Sequence, residues 1–242
     1  PAGAGGFAPR QHQRMHSRRS ATTQDPSRAL LSLGYKPLGP IAAGAFSTIL
    51  RCKNVNDGTE VAVKSFDGAK CAREPTQAAL RDNELEVLRL LRAAAAASQA
   101  GGVGHPHIAN MLAELGDIHA AHQHAVLEYC AGGTLKRYLT SAAKHTPEGL
   151  DALVVGKSAR QLAAALFHLH YLGVMHGDLK PANILLIHDG KGLDGGLKLC
   201  DFGFACICGE GKLKSYCGTP AYLAPELASP TEAHKGYHGR PV

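Results

Sequence analysis

The chain has 242 residues, of which 45% are hydrophobic and 19% are charged, so it can bury a core and does not have the composition of a disordered protein. Its formal net charge is +6, but residues 1–30 hold five arginines and one aspartate, which is +4, leaving +2 for the rest of the chain. The body is therefore not a strongly basic nucleic-acid surface, and no apolar run reaches the roughly 20 residues that span a bilayer.

The ends and the cysteines indicate the compartment. Residues 1–33 are rich in arginine and poor in acids, which favours a disordered leader and leaves a transit peptide as the alternative. Seven cysteines, an odd number without paired spacing, do not describe a disulfide framework. We therefore expect a reducing compartment, the cytoplasm or the nucleus.

Two clusters resemble metal ligands. Cys206 and Cys208 form a close pair, but no second pair follows at the spacing of a zinc ribbon. His119, His122 and His124 lie in a polar stretch just before an apolar run, where a turn between strands is favoured over a metal site.

The first half of the chain predicts a sheet and one long helix. Residues 41–53 and 60–66 alternate apolar and polar side chains around an Asn-Asp-Gly turn at 56–58, as in an antiparallel hairpin. Residues 76–92 place leucines at helical spacing. The five alanines that follow, 93–97, are interpreted as a low-complexity extension without chemistry.

The second half predicts a hinge followed by a helical region. A short buried strand at 126–129 ends in Ala-Gly-Gly at 131–133, where the chain can change direction. A helix is predicted over 151–172, with Gly173 as its C-cap, and brief strands are predicted at 184–187 and 197–199. The order of strands before helices predicts an α+β fold with a small β-rich lobe and a helical lobe.

Phosphoryl transfer requires a base, metal ligands and a group that positions phosphate, and this chain offers each in order. Asp178, Lys180 and Asn183 lie on one short segment between a predicted helix and a predicted strand. Asp178 could accept a proton from a hydroxyl, Lys180 could neutralise a phosphoryl group, and Asn183 could offer an oxygen to Mg²⁺. Asp201, within Asp-Phe-Gly, is a further metal-binding carboxylate, and Lys64 ends an apolar strand.

Together these motifs resemble the protein kinase family from Tyr35 to Val242. The resemblance implies a bilobal fold with an antiparallel β-rich N-lobe at 34–129 and a hinge with an incomplete helical C-lobe at 130–242, both chain ends being interpreted as truncations. It also implies ATP and Mg²⁺ as cofactors and a protein as substrate.

The resemblance further implies residue roles. Lys64 would hold the α/β-phosphates and pair with Glu84, for which Glu86 is a competing candidate; Asp178 would be the base, and Asn183 and Asp201 would bind Mg²⁺. The implied nucleotide pocket consists of Ile41, Ala42, Gly44, Ser47, Ile49, Ala62, Lys64, Leu127, Glu128, Cys130 and Leu185.

The segment from Cys217 to Glu226 resembles the peptide-positioning loop of serine/threonine kinases. With Lys180 it implies specificity for Ser and Thr hydroxyls, with Thr219 hydrogen-bonded to Asp178 and Lys180. Ser215 stands where many kinases carry an activating phosphosite.

Three positions depart from the family pattern, and one of them, Ser47 in place of the third glycine of the nucleotide loop, is a tolerable variant. Ala42 replaces a glycine at the nucleotide loop, where a Cβ can crowd the ligand. Gly177 replaces the arginine that pairs with a phosphate on the activation loop. We therefore expect activity to depend less on phosphorylation of Ser215 than in typical members.

Two other interpretations remain. A non-catalytic pseudokinase would account for the altered nucleotide loop and for Gly177. A small-molecule phosphotransferase of the aminoglycoside or choline kinase type shares the His-Gly-Asp-Leu motif, but it has no use for the segment 201–226.

Overall fold

A five-stranded antiparallel sheet forms the first half of the molecule, with strand order β1-β2-β3-β5-β4. The computed structural model describes residues 26–98, 102, 104–116, 122–145, 149–208 and 217–228. The sheet strands are β1 (Tyr35–Ala43), β2 (Ser47–Asn54), β3 (Glu60–Asp67), β4 (Met111–Leu115) and β5 (His122–Glu128).

The predicted hairpin at 41–66 is present but begins differently. Residues 41–53 are not one strand, because β1 ends at Ala43 and the chain turns before β2, where the Gly44 amide donates to the Ser47 carbonyl oxygen at 2.8 Å. The β2–β3 turn lies as predicted, with Gly58 at a positive φ of 75° and its amide donating to Asn54. The short segment 44–46 thus forms a tight turn between β1 and β2.

Helix α3 (Pro75–Ala97) runs behind the sheet and includes the five alanines, which extend the predicted helix by a further turn. Proline at its first turn suits a helix start, since the missing N–H has no intrahelical partner there. Leu85, Val87 and Leu88 are buried against the sheet together with Glu84. The short helix α2 (Gly68–Arg73) precedes α3 and is capped by the Asp67 carboxylate.

Two predictions about this half are wrong. His122 and His124 lie in β5 rather than in a turn, and His124 Nδ1 is 2.7 Å from the hydroxyl of Ser65 on the neighbouring strand. The end of the leader is ordered, because Pro26–Ser32 form helix α1 and Leu30 is fully buried against β2 and β3. His119 and the first part of the leader lie outside the described residues.

The second half is mainly helical, and its short strands surround one loop. It contains α4 (Leu135–His145), α5 (Ala152–Tyr171), α6 (Pro225–Ala228) and the strands β6 (Gly133–Thr134), β7 (Val174–Met175), β8 (Ile184–Leu186), β9 (Leu197–Leu199) and β10 (Cys206–Ile207). Helix α5 begins at an Asp151 cap and is followed by Gly173 at a φ of 72°, so both predicted ends are confirmed. Strands β6, β8 and β9 form one small sheet, and β7 pairs with β10.

One hydrophobic core continues from the first half into the second. Phe66 and Leu88 from the sheet and its helix share this cluster with Leu169, Leu199 and Phe202. Backbone hydrogen bonds also join the halves, because the Ala109 amide donates to the Leu199 carbonyl oxygen at 2.8 Å. Among the described residues, no helix is long and apolar enough to cross a membrane.

We predict that Leu199→Ala lowers the free energy of unfolding by about 2–5 kcal/mol, because it leaves a cavity where the two halves meet. Leu199 is fully buried. Urea denaturation followed by circular dichroism measures the change. Leu153→Ala is the matched control, since Leu153 is 76% exposed and its loss should change stability by less than about 0.5 kcal/mol. Equal effects of the two variants would contradict a shared core at Leu199.

Candidate active site

A buried lysine joins three separate elements of the fold. Lys64 on β3 places its ammonium 2.7 Å from both carboxylate oxygens of Glu84 on α3 and 3.1 Å from Asp201 Oδ1. Glu84 is 2% exposed, whereas the Asp201 side chain is 44% exposed. Glu86, the competing candidate for this ion pair, is exposed on the opposite side of α3. The predicted Lys64–Glu84 pair is therefore present, with Asp201 as a third member.

The charges in this group support one another. Burial opposes the charged form of Lys64, but the carboxylates of Glu84 and Asp201 outweigh it and raise the lysine pKa above its ordinary value. Burial raises the pKa of Glu84, and the Lys64 ammonium opposes that rise. Lys64 is therefore a permanent, buried cation on one face of the sheet. The Glu84 carboxylate beside it is buried, whereas the Asp201 carboxylate is partly exposed to solvent.

A second charged group lies on the loop between β7 and β8. The Thr219 hydroxyl donates to Asp178 Oδ1 at 2.6 Å, and the Lys180 ammonium lies 2.6 Å from Asp178 Oδ2 and 2.7 Å from Thr219 Oγ1. The Asn183 side-chain amide donates to the Asp178 carbonyl oxygen at 2.9 Å and to Oδ2 at 3.0 Å. The structure thus brings together four residues that the sequence places over some 40 positions.

These donors determine the state of the Asp178 carboxyl. Burial raises its pKa, but the hydrogen bonds from Lys180 and Thr219, the Lys180 charge and the Asn183 amide outweigh burial, so the pKa lies below its ordinary value. The pKa of Asp178 falls on folding, so these contacts stabilise the fold above the unfolded-state pKa and are lost as pH falls through the folded-state pKa. At neutral pH Asp178 is an ionised carboxylate whose orientation is fixed.

The buried His176 ring connects this loop to the backbone at Cys200. Its Nε2 lies 3.1 Å from the Cys200 carbonyl oxygen, and its Nδ1 accepts a hydrogen bond from the Asp178 amide at 3.3 Å. Burial lowers its pKa, so the neutral ring with a proton on Nε2 fits both contacts. The ring also packs against Phe202, which is 1% exposed. His176 is therefore a structural residue, and burial raises the pKa of the adjacent Cys200 thiol.

Asn83 and Lys198 contribute contacts that the sequence did not indicate. The Asn83 side-chain amide donates to the carbonyl oxygens of Phe202, Gly203 and Ala205, the last at 2.6 Å. Lys198 is buried and lies 2.8 Å from Glu128. The first contact ties α3 to the segment after Asp201, and the second ties β9 to the end of β5. The only sequence signal for Asn83 is its position directly before Glu84.

The residues of the implied nucleotide pocket lie on four strands of the first sheet, on the turns beside them and on β8. Ala62 on β3 lies opposite Leu127 on β5, and Ala42 on β1 lies opposite Ile49 on β2. Within the described residues, nothing accepts a hydrogen bond from the amide of Cys130, which follows β5. The others occupy the same strands and turns: Ile41 in β1, Gly44 in the β1–β2 turn, Ser47 in β2, Glu128 in β5 and Leu185 in β8.

The donor set suits Mg²⁺ and a nucleotide phosphate. The Asn183 amide nitrogen is engaged with Asp178, which leaves the side-chain oxygen of Asn183 without a donor among the described residues. The Cys200 amide donates to the Asn183 carbonyl oxygen at 2.9 Å and so holds Asn183 beside Asp201. One carboxylate and one neutral oxygen resemble the sparse protein ligation that Mg²⁺ shares with phosphates. Within the described residues no group of three His, Cys, Asp or Glu ligands is arranged for a metal.

Gly177 occupies a position that is closed to a side chain. Its φ is 76°, in the left-handed region, and a Cβ there would collide with the carbonyl oxygen of Phe204. The segment after Asp201 therefore lies directly on the Gly177 backbone. Ser215 lies outside the described residues, so the expectation about its phosphorylation remains a prediction.

We predict that Gly177→Ala lowers the free energy of unfolding by at least about 1–2 kcal/mol, because the new Cβ is strained at positive φ and meets Phe204. Chemical denaturation measures the loss. Gly156→Ala is the matched control: Gly156 lies in α5 with nothing within 4 Å of an added Cβ, and alanine there should stabilise the protein. A Gly177→Ala protein as stable as the wild type would show that the loop is not packed as described.

Comparisons with known proteins place this geometry in a family. The family profile described as protein kinase domain matches residues 35–241. The chain is 34% identical over 197 residues to the human serine/threonine-protein kinase DCLK2, covering 81% of this chain and 23% of that protein. The mouse serine/threonine-protein kinase DCLK2 is 35% identical over 191 residues, and the match covers 79% of this chain and 22% of the mouse protein.

A relative from Drosophila persimilis, serine/threonine-protein kinase GL21140, is 32% identical over 187 residues, covering 77% of this chain and 22% of that protein. The chain thus spans less than a quarter of the length of the curated relatives it matches. The α+β fold, with its antiparallel sheet and helical second half, agrees with this match. The chain belongs to the protein kinase family.

Proposed function

We propose that the protein is an ATP-dependent serine/threonine kinase that transfers the γ-phosphate of ATP to a hydroxyl of a protein substrate. The observation that carries the proposal is the group formed by Asp178, Lys180, Thr219 and Asn183, in which every polar side chain is oriented by another. Phosphoryl transfer depends mainly on positioning and on electrostatic stabilisation, and this group supplies both.

Each charged or polar residue of the site would have a separate role in binding ATP and Mg²⁺. Bound ATP supplies the phosphoryl group, and Mg²⁺ neutralises the negative charge of its phosphates. Lys64 would contact the α- and β-phosphates, while Asp201 and Asn183 would hold Mg²⁺. Lys180 would contact the transferred phosphoryl group, because its ammonium lies 2.6 Å from the Asp178 carboxylate that would orient the substrate hydroxyl.

Asp178 would orient the substrate hydroxyl and accept its proton. Its low pKa makes it ionised at neutral pH but a weak base, so it would take the proton late, once the oxygen is already bonding to phosphorus. The Thr219 contact supports a Ser or Thr acceptor, since Thr219 belongs to the segment that resembles the peptide-positioning loop of serine/threonine kinases.

The pseudokinase is the second candidate. Ala42 favours it, because a methyl group stands on β1 where family members usually have glycine. Against it, all five expected polar residues, Lys64, Glu84, Asp178, Asn183 and Asp201, are present and contact one another or their neighbours. A cytoplasmic or nuclear location also remains a prediction, in keeping with seven free thiols.

The proposal is tested by transfer of labelled phosphate from ATP to casein with Mg²⁺, using the protein with its natural termini. We expect Mg²⁺-dependent transfer to Ser and Thr, and Asp178→Asn to lower kcat by about 100- to 10,000-fold, because the carboxylate that accepts the proton is lost. Absence of transfer, with ATP still raising the melting temperature, would replace this proposal with the pseudokinase.

Thr219 offers a finer test of the site. We predict that Thr219→Val lowers kcat about 10- to 100-fold, because it removes a hydrogen bond to the charged Asp178 and frees Lys180. Steady-state kinetics with a peptide substrate measures the loss. Thr219→Ser is the matched control, as it keeps the hydroxyl and should retain activity within a few-fold. If the two variants lost activity equally, the hydroxyl would have no role.

A further inference from the structure

Helix α4 presents a positively charged face beside the catalytic loop. The helix begins at Leu135, immediately after the hinge, and packs against the turn Pro181–Asn183 that follows Lys180. Strand β6, which directly precedes α4, contacts the same turn, and that turn begins three residues after Asp178 in the chain. A peptide whose hydroxyl reaches Asp178 can therefore also reach α4.

The charge of α4 is entirely basic. Its sequence from Leu135 to His145 contains no Asp or Glu, and Lys136 and Arg137 are both exposed. Neither residue forms an ion pair within the described part of the chain. The Arg137 guanidinium makes one long contact, 3.5 Å to the Gly132 carbonyl oxygen. Most of its donors are therefore free for a ligand.

These two cations line a hollow with hydroxyl groups on its walls. An open concavity of about 430 Å³ is bounded by Thr134, Lys136, Arg137, Thr140 and Ser141. The Thr134 oxygen accepts from the Arg137 amide at 3.2 Å, which leaves its hydroxyl hydrogen available to a ligand, whereas the Thr140 hydroxyl donates to the Lys136 carbonyl oxygen at 2.9 Å. Arg137 also borders a second hollow of about 350 Å³, and Asp189 is among the residues that line it. The first hollow contains cations and hydroxyls but no acid.

We propose that the Lys136–Arg137 face binds acidic side chains of the protein substrate a few residues from the phosphorylated Ser or Thr. The inference rests on the proposed kinase activity and adds the substrate class. A guanidinium and an ammonium beside hydroxyl donors bind carboxylates through charge-assisted hydrogen bonds, and they repel a basic peptide. The enzyme therefore selects acidic sequences over basic ones.

Binding tests this without relying on catalysis. A fluorescein-labelled peptide with one Ser flanked by glutamates is titrated with the full-length protein, and its anisotropy is compared with that of a matched peptide flanked by arginines. We expect the acidic peptide to bind at least about tenfold more tightly. The double variant Lys136→Glu/Arg137→Glu should remove or reverse that preference. The control Lys157→Glu/Arg160→Glu, which changes the same charge on the exposed face of α5, should keep it.

The outcomes separate the two proposals. Tighter binding of the arginine peptide, or an acidic preference that survives in the α4 double variant, would overturn this inference. The same peptides are then assayed for phosphate transfer. Selective binding of the acidic peptide that is lost in the α4 variant supports the docking site even if no phosphate is transferred, and in that case it is the kinase proposal that fails.

Discussion

The structure depends on the burial of one ammonium group. Removing the Lys64 charge from water is costly, and the two carboxylates at hydrogen-bonding distance offset that cost, together with the Phe66 ring 5.6 Å from the ammonium. Because Lys64 lies on the sheet, Glu84 on α3 and Asp201 after β9, satisfying this charge fixes the sheet, the helix and the catalytic segment relative to one another. The hydrophobic core that continues between the halves holds the same arrangement.

The segment after Asp201 is held by neutral contacts in this protein. Asn83 donates to three of its carbonyl oxygens, and the Gly177 backbone lies against Phe204. Asp201 itself adopts a φ of 68°, a left-handed conformation that Asp tolerates better than most residues. These contacts form without an arginine at position 177. They support the prediction that activity depends less on phosphorylation of Ser215 than it does in typical family members.

The catalytic residues could be predicted from the sequence more fully than the contacts that hold them in place. Asp178, Lys180 and Asn183 fall within six consecutive positions, so their proximity is guaranteed by the chain itself, and the helix that leads to them has clear cap signals. The contacts of Asn83 and Lys198 escaped prediction because their partners lie far along the chain and leave no periodic pattern. His124 suggested a turn because it is polar, but its cross-strand partner Ser65 satisfies it inside the sheet.

In the proposed site, Lys64 holds a nucleotide phosphate, Asp201 and Asn183 hold Mg²⁺, and Glu84 fixes Lys64 in place. The most direct measurement is calorimetric titration of a non-hydrolysable ATP analogue into the full-length protein with and without Mg²⁺, repeated for Asp201→Asn. We expect Mg²⁺ to tighten binding about tenfold or more in the wild-type protein and to have little effect in the variant. Equal affinity with and without Mg²⁺ in the wild-type protein would contradict it.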